Sequence, residues 1–222
     1  MDNILLVWDI DGTLIKSHGS GRKAMDKAFF QVYGIEDAFL HIDMAGRIDG
    51  AIVRDGLKKH EVEFEEEFFI IYKEILKEVV NIKEMVEVLP GIRDILENAV
   101  NYEKIHHVLG TGNMMDGARI KLSSHKLNSY FPTGGFGDEL MERWEVIKRA
   151  IEEGEKHYKT KYQKENIYII GDTPRDIECA KILGTKSIAV ATGSYEYEVL
   201  KEHEPDYIFH DLLETKGFFH LL

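Results

Sequence analysis

MDNILLVWDIDGTL, residues 1–14, opens the chain. Ile4 to Trp8 is an unbroken apolar run, short and partly β-branched, the pattern of a strand buried on both faces inside a parallel sheet. It stops at Asp9-Ile10-Asp11-Gly12-Thr13, which puts two carboxylates at the carboxyl tip of a core strand. Residues two apart in an extended segment face the same side, so Asp9 and Asp11 can converge on one small volume. Open α/β sheets bind their ligands in the crevice beyond such tips. Gly12 can take the positive φ of a tight exit turn and leaves room for a ligand. The same residues also suit an ordinary Asp-Gly corner; three further pieces downstream separate the two.

With 222 residues the chain can hold one large domain, or a core with a smaller insert. Its composition, 44% hydrophobic and 31% charged, is that of a soluble globular protein. It shows no apolar run long enough for a membrane span and no leader pattern, so the cytoplasm is the expected compartment. Forty acidic against twenty-eight basic residues, a net charge of −12, argue against nucleic-acid binding. An anionic substrate would then need a local cation or aimed donors. The single cysteine, Cys179, excludes an internal disulfide and reads as an inert buried thiol. The ten histidines show no metal-ligand spacing and are expected to be structural or at the surface.

From Lys16 to about Val88 the pattern is helical, with amphipathic segments over 21–32, 51–59 and 64–80 and nothing resembling a strand that would join a sheet. Asp49 is a plausible cap of the second helix, and Glu65 to Glu67 a solvated face. Loop residues His18, Arg22 and Arg47 are candidates to overhang a site at the strand tips. Strand and helix alternate again after Leu89-Pro90-Gly91. A helix is expected over 92–101. A strand over 105–109 ends at Gly110-Thr111-Gly112-Asn113, where one hydroxyl and exposed N–H groups suit a phosphate. A Gly-rich loop covers 133–138, and a helix begins near Arg143-Trp144. A strand over 166–170 ends at Gly171-Asp172-Thr173-Pro174-Arg175-Asp176, followed by a helix over 177–183 and strands over 186–191 and 207–209.

Asp9-Ile10-Asp11-Gly12-Thr13-Leu14, Thr111 after a strand, a basic residue near a helix start, and Gly171 to Asp176 together resemble the haloacid dehalogenase superfamily. The phosphoglycolate-phosphatase-like hydrolases are the most similar subgroup. The likeness spans essentially the whole chain and implies a Rossmann-like parallel-sheet core from residues 1–15 and 90–222. Residues 16–89 would form an inserted all-helical cap, hinged near 14–17 and 88–91. It further implies a Mg²⁺-dependent phosphatase acting on a small phosphate monoester. Asp9 would be the nucleophile and Asp11 the general acid and base, with a raised pKa. Thr111, Gly112, Asn113 and the insert's Arg47 would hold substrate. Asp9, Asp11 (through its carbonyl) and Asp172 would ligate Mg²⁺, with Asp176 a further ligand or a partner of metal-bound water. Where the family usually carries a lysine, Arg143 stands in the expected place, with Lys148 the alternative.

Two like charges 4 Å apart cost roughly 4 kcal/mol at an effective dielectric near 20. Several aspartates facing a phosphate therefore require a hard divalent cation between them. Asp11 argues against a dehalogenase. A phosphomutase of the β-phosphoglucomutase kind is the nearest rival, a phosphonate hydrolase using Lys16 or Lys23 a more distant one, and a non-catalytic scaffold the alternative from another class. The chain is expected to be a monomer or homodimer.

Overall fold

The computed structural model describes residues 3–82, 85–99, 102–139 and 141–222. Strand β1 (Ile4–Trp8) is buried at every position, which is why its sequence is a continuous apolar run rather than an alternating one. It is followed by a two-residue strand β2 (Ile15–Lys16) and helices α1 (Ser20–Tyr33), α2 (Asp49–His60) and α3 (Glu67–Val80). Strand β3 (Glu87–Val88) returns antiparallel to β2, pairing Ile15 with Val88. The helical stretch is thus bounded by a two-stranded ribbon, where the sequence suggested no strand. The ribbon stays separate from the main sheet.

Helix α4 (Ile92–Ala99) buries Ile92, Ile95, Leu96 and Ala99, the spacing of one helical face. The expected last two residues of this helix, Val100 and Asn101, lie outside the described residues. Then come β4 (Ile105–Gly110), α5 (Met115–Ser123), β5 (Gly134–Gly135), α6 (Arg143–Tyr158) and β6 (Ile167–Gly171). Helix α7 (Pro174–Leu183), β7 (Lys186–Val190), α8 (Tyr197–Glu202), β8 (Tyr207–Phe209) and α9 (Thr215–Leu221) complete the chain.

The six longer-range strands form one sheet in the order β5-β4-β1-β6-β7-β8, parallel throughout. The chain leaves β1 toward β4 and β5, then recrosses to β6 on the other side. The carboxyl tip of β1 therefore sits at the reversal of strand order, the crevice where α/β sheets bind ligands.

Leu6 and Trp8 of β1 face one layer of the core; Leu5 and Val7 face a second layer made with α6 and α7. Full burial of such a side chain contributes about 1.5–3 kcal/mol. Trp8 donates its indole N–H to Nδ1 of buried His107 at 3.0 Å and packs on Phe218 of α9, so His107 and Phe218 are internal. Cys179 is buried, and burial pushes its thiol up to about 12, as suits an inert packing residue.

Candidate active site

Three strand tips converge. Asp9 follows β1 and extends its ladder by one bond, donating its N–H to the Ile170 carbonyl at 2.9 Å. Thr111 follows β4, Asp172 follows β6, and Asp176 lies in the first turn of α7. Carboxylate oxygens of Asp9, Asp172 and Asp176 lie within 4.8 Å of one another, and all three residues are buried. Burial drives the Asp9 carboxyl up to about 6; Arg143 opposes the rise, and Asp176 and Asp11 add to it. Burial and then the charges of Asp9 and Asp176 hold Asp172 well above the usual carboxylate range. Three buried carboxylates that share one arginine leave an excess of negative charge, and such a set of oxygen donors fits a hard divalent cation.

The cradle around Asp172 is backbone. Gly12 has φ +87, and a Cβ there would meet the Asp172 carboxylate at 2.4 Å. The space next to this glycine thus houses Asp172 rather than a ligand. Thr13 donates its hydroxyl to Asp172 at 3.3 Å.

Arg143 opens α6 with its guanidinium buried. Nη2 lies 2.9 Å from Asp9 and 2.7 Å from Asp176. Burial alone would lower its pKa; Asp176 and Asp9 outweigh this and keep it above the ordinary arginine range. Lys148, the other candidate, is exposed and faces Glu152 at 3.8 Å. The second Asp176 oxygen accepts from the Thr173 hydroxyl at 2.7 Å and the Thr173 N–H at 3.2 Å. Both oxygens of Asp176 are thus engaged by protein groups.

A second cluster surrounds Asp11. Its Oδ2 accepts from Lys121 Nζ at 2.6 Å and Asn113 Nδ2 at 2.7 Å. Asn113 Nδ2 also donates to the Thr111 hydroxyl at 2.8 Å, and Asn113 Oδ1 accepts from Lys121 at 2.6 Å. Burial would raise the Asp11 pKa, but the Lys121 ammonium together with hydrogen bonds from Ser17 and Asn113 outweighs this, and the carboxyl is held below its usual range. The shift of Asp11 is thus downward, where the family resemblance implied a raised pKa. The largest lowering contribution comes from a lysine that sequence reasoning did not single out.

The helical stretch between β2 and β3 meets the sheet tips here. Asp49 donates its N–H to the Gly112 carbonyl and accepts the Met114 N–H at 2.9 Å. It is the first residue of α2, not its cap, which is Ile48. Burial pushes Asp49 up to about 6, against the pull of Lys121. A Cβ on Gly112 would stand 2.0 Å from the Arg47 carbonyl, so the insert backbone rests on this glycine. Arg47 lines the cleft, but its guanidinium is engaged by the Asp43 carbonyl at 3.0 Å and Asp55 at 2.5 Å. Arg22 is tied to the Phe39 and Ile42 carbonyls, and His18 pairs with Glu87 at 2.8 Å.

The cleft has a volume of about 520 Å³ and is lined by Asp9, Asp11, Thr111, Asn113, Lys121 and Arg143 on the core side. Among the described residues no helix is long and apolar enough to cross a membrane. The structure brings together every sequence-predicted core residue: Asp9, Asp11, Thr111, Gly112, Asn113, Arg143, Asp172 and Asp176. It adds Lys121 and Asp49.

Residues 6–190 match the family model described as haloacid dehalogenase-like hydrolase, and the chain belongs to this family of enzymes. Among curated proteins, a proposed pyrophosphatase, PpaX, of Caldanaerobacter subterraneus subsp. tengcongensis is 36% identical over 52 residues. That match spans 23% of this chain and 24% of the relative. Among solved structures, a predicted phosphatase from Clostridium acetobutylicum is 22% identical, with a TM-score of 0.70 and 100% of both chains covered. CbbY from Rhodobacter sphaeroides, solved in complex with phosphate, is 16% identical with a TM-score of 0.74 over 96% of each chain. At these identities the structural likeness is one of fold.

Proposed function

We propose that the protein is a Mg²⁺-dependent phosphatase of the cytoplasm that hydrolyses a small phosphate monoester through an aspartyl-phosphate on Asp9. The observation that carries this is the junction of Asp9, Asp172 and Asp176 with Arg143 at three strand tips, within 4.8 Å for the carboxylates and 2.9 Å for the Arg143–Asp9 contact. Asp9 and Asp172, with the Asp11 carbonyl, would hold Mg²⁺, which supplies the charge that lets a phosphate approach carboxylates. Asp176, engaged by Arg143 and Thr173, orients the guanidinium.

An Asp9 oxygen attacks phosphorus, and the bond from phosphorus to the ester oxygen breaks. Asp11 donates a proton to the departing oxygen. The phosphate dianion that enters beside Asp11 raises its carboxyl pKa and so favours uptake of that proton. Asp11 then removes a proton from water as the water oxygen attacks phosphorus, which releases phosphate and restores Asp9. Arg143 neutralises Asp9 and the phosphoryl oxygens. The Thr111 hydroxyl and the N–H groups that follow it bind the phosphoryl group. Residues 16–89 act as a cap over the cleft, hinged at the β2–β3 ribbon.

Phosphate release from a panel of small monoesters, with Mg²⁺ or with a chelator, tests this. The expected result is turnover of at least one ester that falls at least ~100-fold on chelation, the scale on which a bound cation stabilises developing charge. Turnover indifferent to chelation would contradict the proposed site.

A further inference from the structure

The mechanism above gives Arg143 a task but leaves the second buried cation, Lys121, without one. Its side chain is 5% exposed and its ammonium lies 2.6 Å from Asp11. Lys121 stands in the last turn of α5, a position from which a lysine normally reaches solvent. Here it turns inward and bonds Asp11 Oδ2 and Asn113 Oδ1 together. Asn113 bonds the same Asp11 oxygen and the Thr111 hydroxyl. One oxygen of Asp11 is thus anchored twice, while the other, Oδ1, is buried with no hydrogen-bond partner. An unpaired buried carboxylate oxygen is costly, and one left free beside a cleft is suited to an incoming proton-bearing group. From the insert, Gly21 of α1 covers the ammonium, where an added Cβ would come within 3.4 Å of Nζ.

We infer that Lys121 is a positioning residue: with Asn113 it locks Asp11 by Oδ2, so that Oδ1 alone is presented to the ester oxygen and to water. This rests on the phosphatase reading and deepens it. The three groups Lys121, Asn113 and Thr111 link the proton-transfer residue to the phosphate-binding hydroxyl as one unit. A misplacement of Asp11 then costs proton delivery rather than phosphate binding.

Proton delivery is what a poor leaving group needs and a good one does not. Lys121→Met keeps the bulk of the stem and removes the ammonium. The test compares kcat/KM of wild type and Lys121→Met across substituted phenyl phosphates, from 4-nitrophenyl to unsubstituted phenyl. General acid catalysis contributes about 10²–10⁴-fold. The expected loss is therefore about 100-fold or more for phenyl phosphate and about fivefold or less for 4-nitrophenyl phosphate. A purely structural lysine would lower both alike, and an equal loss, or none, overturns the inference.

A stability cycle with Asp11→Asn, Lys121→Met and the double variant reads the pairing without turnover. Coupling of at least ~10-fold in the folding constant is expected, within the range for contacting pairs; no coupling overturns the inference. Failure of the wild type on every ester would instead overturn the phosphatase reading, and the cycle would still decide whether Lys121 holds Asp11.

Discussion

Asparagine in place of Asp9 is expected to reduce phosphate release at least ~10⁴-fold, the scale of losing a covalent nucleophile, and also to stabilise the metal-free protein at pH 8. The first effect follows because an amide oxygen cannot form the acyl-phosphate bond. The second follows from the electrostatics of the site. The Asp9 carboxyl rises from 3.8 to about 6 on folding, so the folded chain holds its proton more tightly than the unfolded chain. Stability from this group is full below the unfolded value and is lost as pH rises through about 6. At pH 8 the ionised group costs on the order of 2–3 kcal/mol in metal-free protein. Asparagine removes that cost, in which the Arg143 pairing is already counted, for a net gain of about 2–3 kcal/mol. The gain should appear as a higher urea midpoint at pH 8 and vanish near pH 4. A lower midpoint at pH 8 would mean that Arg143 more than compensates Asp9.

Arg143→Met should have the opposite effect on stability. It strips the guanidinium from two buried carboxylates, Asp9 at 2.9 Å and Asp176 at 2.7 Å. Removing one partner from a buried ion pair typically costs about 3–5 kcal/mol, because the remaining charge stays buried. Activity should fall about 10³-fold, the loss of a donor aimed at developing charge. Arg143→Lys keeps the charge without the planar fork and should recover most of the stability but only part of the activity. Opposite stability signs at two residues in direct contact make a stringent pair of measurements, read by urea denaturation and phosphate release. Equal signs would show that the charge balance of the cluster is not as described.

Much of this was legible from the chain. β1 and β6 are short apolar runs because a central parallel strand is buried on both faces, and each ends at an aspartate because the sheet ends there. Asp9, Thr111 and Asp172 could thus be placed at strand tips; that the three tips are neighbours comes from the strand order β4-β1-β6. Of the two basic candidates, Arg143 lies against Asp9 and Asp176 and Lys148 faces Glu152, since Arg143 is the first residue of α6.

Other elements left weaker traces. β5 is Gly134–Gly135, without side chains to show a period, and only its pairing with Leu109 and Gly110 of β4 reveals it. α7 starts at Pro174, earlier than expected, because Thr173 and Asp176 close its first turn. Arg47, a substrate candidate, lines the cleft with its backbone against Gly112 and its guanidinium bonded to the Asp43 carbonyl and Asp55. Lys121 was missed because a lysine on an amphipathic helix reads as solvent-facing. The signal was its place on the buried stripe of α5, with Gly117, Ala118 and Leu122. A charged residue inside an apolar stripe marks a buried partner.

The central claim is the covalent bond to Asp9. Asp11→Asn removes the acid and base but leaves the nucleophile, so with an ester whose leaving group needs no proton, such as 4-nitrophenyl phosphate, the phosphorylated protein should accumulate. Mass spectrometry of this variant after mixing with Mg²⁺ and such an ester turned over by the wild type reads it directly. The predicted result is a mass gain of one phosphoryl group, labile to hydroxylamine and confined to the peptide that contains Asp9. Phosphate release by the wild type with no phosphoryl group on that peptide under any quench condition would contradict the account.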